Sequence, residues 1–325
     1  MRDEYIRTIG HKFGPAHQVI KAETYLPKNV ANGEVCIEMK CAPINPSDIV
    51  TISGAYSTRT TLPIVPGFEG VGIISEIAPD VTHLKPGDVV MPIKKSGTWQ
   101  EIQIVQADNC FKVDPTLEIE HAATSYINPM TAIKMVEDCA RVTSDMSVIV
   151  NAPNSEIGHI IINLWIALGA NTTAIVRNIH SEKALHTEFG TKLNIMHEAQ
   201  LLDSKKNVQF DVLFDAVGGQ KAELAADLIK HSGKIVHYGL LSGIAISPKL
   251  AIKRPDIKLE LYWLRNWIHG ANRQEIEIMF ERTGKMFKQG FIKPRIQETF
   301  HFKDITKALN AHMDPNRSGK ILLVP

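Results

Sequence analysis

Short apolar runs alternate with segments of helical length over the second half of the chain. Five of these runs are predicted to be short apolar strands: SVIVNA (147–152), TTAIV (172–176), DVLFDAV (211–217), KIVHYG (234–239) and KLELYW (258–263). Strands that alternate with helices pair in parallel, because each helix returns the chain to the starting edge of the sheet. The pattern therefore predicts an α/β fold with a Rossmann-type, doubly wound parallel sheet.

The clearest helix is predicted over EIGHIIINLWIAL (156–168). Ile160 and Ile161 belong to its main apolar face, and Trp165 widens that face. A helix that is apolar around most of its circumference is usually buried, so we expect this one to be covered on most sides. Gly169 follows the last apolar residue and is the predicted C-terminal stop.

The first 127 residues differ from the second half in composition and in the pattern of apolar residues. Eleven of the 17 prolines precede residue 130, and β-type runs such as EVCIEMK (34–40) and GVGIISEI (70–77) are separated by Pro and Gly turns. This predicts a mostly antiparallel β domain. Near the C-terminus, an amphipathic helix (273–290) precedes two more strand-like runs, IQETFHF (296–302) and GKILLV (319–324).

The composition argues against several function classes. The 325 residues carry 36 Lys and Arg against 35 Asp and Glu, so no excess charge attracts nucleic acid or an anionic membrane. No apolar run reaches the roughly 18 residues of a membrane span. The four cysteines form no C-x-x-C pair and no H-E-x-x-H motif occurs, which predicts reduced thiols and no metal site. The first residues show no targeting presequence, so we expect a cytoplasmic protein or a mature form.

The turn NAPNSEIG (151–158) lies where a parallel sheet of this kind binds phosphate, between the first strand and its helix. Three glycines are usual there, but only Gly158 is present, in the position that allows close packing. Asn154 and Ser155 tolerate a turn and offer hydrogen bonds. Glu156 suits the positive end of the helix dipole but would repel a diphosphate. An ordinary strand-to-helix turn that binds nothing is the alternative.

Arg177 ends the second strand, about 20 residues after that glycine. An acid in this position binds the ribose hydroxyls of NAD, whereas an arginine accepts the 2′-phosphate of NADP. The residue therefore favours NADPH over NADH, and His180 and Lys183 add positive charge nearby. A solvated surface arginine is the alternative interpretation.

Seven motifs, which occur in a fixed order along the chain, resemble those of a known family. They are INPSDIVTISGAY (44–56), PGFEGVG (66–72), GTWQE (97–101), NPMTA (128–132), NAPNSEIG (151–158), DAVGG (215–219) and YWL (262–264). Together they resemble the medium-chain dehydrogenase/reductase superfamily, and more narrowly its zinc-free trans-2-enoyl thioester reductases, over nearly the whole chain. Zinc alcohol dehydrogenases have Cys and His where this chain has Asn45 and Phe68.

The resemblance implies a fold in two parts. A GroES-like catalytic domain would comprise residues 1–127 and 269–325, and a dinucleotide-binding domain would comprise residues 128–268. It also implies NADPH as cofactor, a homodimer, and a mitochondrial location. The substrate would be an enoyl-CoA or enoyl-acyl-carrier protein reduced in fatty acid synthesis.

The resemblance also assigns residue roles. Tyr56, in the GAY turn, would be the catalytic residue that contacts the thioester. Asn128 would lie beside the nicotinamide, and Lys320 is a weaker candidate for a cofactor contact. Further residues would line NADPH: Asn154, Ser155, Glu156, Ile157, Arg177, Asn178, Ile179, Tyr238, Gly239, Leu240, Leu241, Tyr262, Trp263 and Leu264.

Several alternatives stay open on the sequence. Trp99 and Trp263 are candidates for an acyl pocket, with a place in the core as the alternative for each. An NADPH:quinone oxidoreductase and a non-catalytic NADPH-binding protein are the rival functions. The sequence leaves open whether Tyr56 would give its proton to carbon or to the thioester oxygen.

Overall fold

The computed structural model describes residues 4–202, 208–314 and 317–325. The chain forms two compact units. Unit 1 consists of Met1–Ile127 together with Arg265–Pro325, and unit 2 is the continuous segment Asn128–Leu264.

The secondary structure is numbered in chain order. The strands are β1 Tyr5–Gly10, β2 Ile20–Tyr25, β3 Glu34–Pro43, β4 Val71–Ile77, β5 Val89–Pro92, β6 Ile102–Gln106, β7 Cys110–Lys112, β8 Ser147–Val150, β9 Asn171–Val176, β10 Asn194–His197, β11 Phe210–Asp215, β12 Ile229–His237, β13 Lys258–Leu261, β14 Ile296–His301 and β15 Lys320–Val324. The α-helices are α1 Ala16–Val19, α2 Pro46–Ile52, α3 Ile119–Ala123, α4 Ile127–Lys134, α5 Glu156–Leu168, α6 Ile179–Phe189, α7 Gly219–Ala226, α8 Lys249–Lys253, α9 Leu264–Gly270, α10 Arg273–Lys288 and α11 Ile305–Met313.

Unit 2 contains a six-stranded parallel sheet in the order β10-β9-β8-β11-β12-β13. The first strand of the sheet, β8, lies between β9 and β11, so the strand order reverses beside it. The parallel, doubly wound sheet predicted from the apolar pattern is confirmed. In such sheets ligands bind outside the carboxyl ends of the strands, where the order reverses.

Helix α5 confirms the predicted bounds of 156–168. Its residues Ile161, Ile162 and Trp165 are fully buried, whereas Leu168 is 43% exposed at the last turn. Gly169 ends the helix in the left-handed conformation, with φ of 80°. The helix is covered on most sides because its apolar residues extend around more than one face.

Unit 1 contains a mostly antiparallel sheet in the order β14-β15-β3-β4-β5-β7, with β6 also paired to β3. Strands β14 and β15 pair in parallel, and β1 and β2 form a separate antiparallel pair. Trp99 is fully buried in a core cluster of this unit, and its indole donates a hydrogen bond to the Pro43 carbonyl at 3.3 Å. Trp99 is therefore a core residue.

The predicted C-terminal helix is α10, which begins with a capping box. The Asn272 side chain accepts from the Glu275 amide at 3.0 Å, and the Glu275 carboxylate accepts from the Asn272 amide at 2.8 Å. The apolar side chains of α10 that face the protein, including Ile276 and Phe280, are buried. Among the helices that the structure describes, none is both long enough and apolar enough to traverse a bilayer.

Gly158, in the first turn of α5, allows a close approach of backbone to backbone. A Cβ atom at this position would lie 2.7 Å from the carbonyl oxygens of both Ala152 and Pro153. Neither oxygen belongs to a flexible side chain, so the loop before α5 would have to move. The close contact is thus with the loop itself.

We expect Gly158→Ala to lower the free energy of unfolding by about 1–3 kcal/mol, because the added methyl group overpacks the loop. Gly284→Ala is the matched control. Gly284 lies within α10, and its added Cβ would meet Asp114 Cβ at an ordinary 3.7 Å. Removing a helical glycine there should raise stability by about 0.5–1 kcal/mol. Denaturant unfolding measures the change in the free energy of unfolding for each variant. Equal changes in the two variants would contradict overpacking of the loop by Gly158→Ala.

Candidate active site

The loop between β8 and α5 closes with one glycine in place of the three that are usual at this position. The Ser155 hydroxyl accepts from the Gly158 amide at 3.1 Å and donates to the Ala152 carbonyl at 2.8 Å. Ser155 is thus the N-cap of α5. Ala152 has φ of 52°, in the left-handed region where glycine is usual. The sequence gives no signal for this conformation of an alanine.

The other residues predicted for this loop lie around the start of α5. Asn154 is exposed, and Glu156 and Ile157 in the first turn are half-buried. The helix has 13 residues, so its first amide groups and its dipole form a favourable environment for an anion.

Arg177 is exposed immediately after β9. Within the described residues, its guanidinium has no ion pair with a carboxylate. The next residue, Asn178, caps α6, since its side chain accepts from the Ser181 amide at 2.9 Å. Ile179, the first residue of α6, is 50% exposed. No carboxylate of the described residues thus neutralises this cation at the carboxyl end of the second strand.

A buried polar network joins three segments at the same edge of the sheet. Asp215, at the end of β11, is fully buried. Its carboxylate accepts from the Asn151 side-chain amide, from the Val217 amide at 3.1 Å and from the Gly218 amide at 3.1 Å. His237 Nδ1 lies 2.5 Å from Asp215 Oδ2, the oxygen that also accepts from Gly218.

The same network aligns the backbone. The Asn151 side-chain oxygen accepts from the Ala216 amide at 2.8 Å, and the Asp215 carbonyl accepts from the Tyr238 amide at 2.9 Å. Asn151 follows β8, Asp215 ends β11 and His237 ends β12, so one carboxylate ties three strand ends together. The sequence reasoning missed these three residues. Their signal is a polar residue directly at the end of an apolar strand.

The turn after β12 contains the predicted residues Tyr238 to Leu241. The Leu241 amide donates to the Ala216 carbonyl at 3.0 Å. A Cβ on Gly239 would lie 2.7 Å from that same oxygen, so only glycine allows this approach. Leu240 and Leu241 are 48% and 57% exposed. The turn therefore presents apolar side chains at the edge of the sheet.

Tyr262 follows β13, and its amide donates to the His237 carbonyl at 2.8 Å. The hydroxyl groups of Tyr238 and Tyr262 are buried, and neither has a hydrogen-bond partner among the described residues. Burial raises the pKa of both phenols, so both are donors without an acceptor. Trp263 is 37% exposed and Leu264 is buried.

Four of the predicted groups thus lie after the carboxyl ends of parallel strands in unit 2. They follow β8, β9, β12 and β13 and comprise residues 154–157, 177–179, 238–241 and 262–264. Asn128 also belongs to unit 2 and is half-buried near the start of α4. A capped helix start, together with an exposed arginine that has no carboxylate partner among the described residues, suits the phosphates of a phosphorylated dinucleotide.

Tyr56 belongs to unit 1. It directly precedes a 3₁₀ turn, Ser57–Arg59, and is half-buried. The Arg59 guanidinium lies over the phenol ring, with its central carbon 3.9 Å from the ring centroid. The sequence identified the tyrosine but gave no signal for its cationic neighbour.

Lys320 lies at the start of β15, in a buried network of unit 1. Its ammonium donates to the Asn45 side-chain oxygen at 2.8 Å and lies 3.9 Å from a Glu69 oxygen. The Asn45 side-chain amide donates to Glu69 at 2.8 Å. The other Glu69 oxygen accepts from the backbone amides of Tyr126 at 3.0 Å and Ile127 at 2.8 Å.

Asp48 adds a second buried carboxyl group beside this network. It accepts from the backbone amides of Asn45 at 2.8 Å and Phe68 at 3.0 Å. Burial raises the pKa of this carboxyl to about 7. Asn45 and Phe68 are the positions compared above with zinc ligands, and their backbone amides serve here to hold Asp48.

Two family profiles match the chain. The profile described as an alcohol dehydrogenase GroES-like domain matches residues 31–115, and the profile described as a zinc-binding dehydrogenase matches residues 192–323. In the part of the chain that the structure describes, no group of three or more His, Cys, Asp or Glu residues is arranged to hold a metal ion.

Curated relatives match over most of the chain. The mitochondrial enoyl-[acyl-carrier-protein] reductase of Arabidopsis thaliana is 31% identical, with 86% of this chain and 77% of that protein covered. The chain belongs to the medium-chain dehydrogenase/reductase family. The mitochondrial enoyl-[acyl-carrier-protein] reductase of Caenorhabditis elegans is 30% identical, with 93% and 90% covered.

A solved structure of similar fold supports the same family assignment. A Bacillus thuringiensis protein provisionally assigned as an NADPH:quinone reductase is 26% identical over the full length of both chains, with a TM-score of 0.89. The predicted combination of a GroES-like unit and a Rossmann-type unit is therefore confirmed for this member of the medium-chain dehydrogenase/reductase family.

We expect Asp215→Ala to destabilise unit 2 by about 3–5 kcal/mol, because it leaves the largely buried His237 imidazole, the Asn151 side-chain amide and the Gly218 amide without their acceptor. The matched control is Asp227→Ala. Asp227 is an exposed carboxylate of the same unit that pairs with Lys253 at 2.9 Å, and its loss should cost at most about 1 kcal/mol. Denaturant unfolding followed by circular dichroism measures both, and similar losses would contradict the clamping role of Asp215.

Proposed function

We propose that this protein is an NADPH-dependent reductase of trans-2-enoyl thioesters. The observation that carries the proposal is the match to relatives named enoyl-[acyl-carrier-protein] reductase, about 30% identical over most of both chains. NADPH, when bound, supplies the hydride that adds to C3 of the substrate. This chain supplies the nucleotide-binding groups, and it supplies the proton that is then delivered at C2.

The choice of NADPH rests on Arg177. A planar guanidinium is permanently charged and matches the geometry of a phosphate. Here it is exposed, and within the described chain it has no carboxylate partner to neutralise it. The 2′-phosphate of NADPH would provide that partner, and the capped start of α5 would receive the pyrophosphate.

The tyrosine of unit 1 is the proposed proton donor. Phenols carry their proton at neutral pH, with a reference pKa of about 10. During reduction negative charge develops on the thioester oxygen, so a hydrogen bond from the Tyr56 hydroxyl would stabilise it. The same hydroxyl can deliver the proton to C2.

We further propose, from the names of the relatives, a mitochondrial location, a role in fatty acid synthesis, and substrates bound to acyl-carrier protein or CoA. A homodimer is the assembly we propose. The second candidate is NADPH:quinone oxidoreductase activity, which the full-length structural match to the Bacillus thuringiensis protein favours.

We expect Arg177→Ala to weaken NADPH binding by about tenfold to a hundredfold and to leave NADH binding nearly unchanged, because only NADPH carries the 2′-phosphate. Fluorescence titration with each nucleotide measures both constants. Lys192→Ala removes an exposed positive charge elsewhere in unit 2 and should change neither. Equal losses for the two nucleotides would rule out the phosphate contact.

We expect Tyr56→Phe to lower kcat for crotonyl-CoA reduction by about a hundredfold or more, since the acid that assists the reaction is lost. NADPH affinity should stay within about twofold of wild type, because the role proposed for Tyr56 is toward the substrate and not toward the nucleotide. Stopped-flow NADPH oxidation measures the turnover. A wild-type protein that reduces quinones but not crotonyl-CoA would favour the second candidate.

A further inference from the structure

The 3₁₀ turn after Tyr56 aligns two side chains. In this type of helix, residues three apart lie directly above one another. The Arg59 amide donates to the Tyr56 carbonyl at 3.1 Å, which closes that turn. The guanidinium consequently lies over the ring, with its central carbon 3.9 Å from the centroid.

The turn is supported by the segment before it. Gly54 has φ of 93°, and a Cβ there would lie 3.0 Å from Phe13 Cβ. The Ser57 amide donates to the Gly54 carbonyl at 3.0 Å. A residue with a side chain would strain this corner, so the backbone that carries Tyr56 and Arg59 is tightly constrained.

A cation over the face of an aromatic ring is attracted by the negative face of the π-system. That attraction grows when the ring itself becomes negative. If the Tyr56 hydroxyl gives its proton to the reduced substrate, the bond from oxygen to hydrogen breaks and its electron pair stays on the phenolate. The permanent charge of Arg59 would then stabilise the product of the proton transfer more than its starting state.

We propose that Arg59 is a positioning residue for proton delivery by Tyr56. It holds the ring in the orientation that the turn imposes and stabilises the negative charge left on the phenol. This inference rests on the proposed function, because it requires that Tyr56 donates a proton during reduction of an enoyl thioester. In this role Arg59 acts through Tyr56 and contacts neither the substrate nor the cofactor.

The test is steady-state kinetics of crotonyl-CoA reduction by wild type, Arg59→Gln, Tyr56→Phe and the double variant. We expect Arg59→Gln to lower kcat by roughly twofold to fivefold, the range of cation–aromatic interactions near a surface, with KM little changed. The ratio of kcat in H₂O to kcat in D₂O should rise, because proton delivery becomes slower relative to hydride transfer. Arg59→Lys keeps the charge and should recover part of the loss.

The double variant separates action through Tyr56 from an independent effect. In the Tyr56→Phe background, Arg59→Gln should cause no further loss of kcat. Thr58→Ala, in the same turn, and Lys303→Gln, which removes another exposed charge of unit 1, serve as controls for the turn and for net charge. Both should match wild type.

Three outcomes would overturn the inference. The first is wild-type turnover in Arg59→Gln, and the second is a change confined to KM with an unaltered solvent isotope effect. The third is an equal loss in both backgrounds. These outcomes leave the proposed function intact, provided that wild type reduces crotonyl-CoA and that Tyr56→Phe does so about a hundredfold more slowly. A wild type without that activity would remove the proposed function and this inference together.

Discussion

The arrangement of the strand ends in unit 2 depends on one buried carboxylate. Asp215 has no access to solvent, so its charge must be balanced by donors within the protein. Those donors come from the ends of three strands, and the requirement to satisfy the carboxylate holds these ends together. Because the loops that contain the proposed cofactor-binding residues follow directly from these strand ends, the network also fixes where those loops begin. A ligand that binds there loses less free energy in ordering the protein.

Unit 1 balances its buried charges by a comparable arrangement. An amide, Asn45, links the ammonium of Lys320 to the carboxylate of Glu69. That carboxylate in turn holds the backbone at Tyr126 and Ile127, where the chain leaves the first part of the unit. Buried ion pairs of this kind add little net stability, but removing one member leaves an unpaired charge. The network therefore limits which side chains can replace Asn45, Glu69 or Lys320.

The sequence predicted the elements better than their contacts. Helix 156–168 and the parallel sheet follow from the spacing of apolar residues within each segment, which can be read directly from the sequence. Arg177 could be placed at a strand end by counting from Gly158. The conformation of Ala152 and the partners of Asp215 depend on segments distant in the chain, and no local pattern encodes them. The stacking of Arg59 required knowledge that its turn is a 3₁₀ helix, which spacing alone does not reveal.

The division of the chain has a consequence for biosynthesis. Unit 2 is continuous, so all of its strands have been synthesised before translation of the last part of unit 1 begins. Unit 1 cannot be completed until β15 emerges, because this strand pairs with β3 and supplies Lys320. During synthesis the nascent chain thus carries the charge of Glu69 without its buried cation. Until translation reaches that lysine, the first part of unit 1 exposes an incomplete sheet that chaperones would recognise.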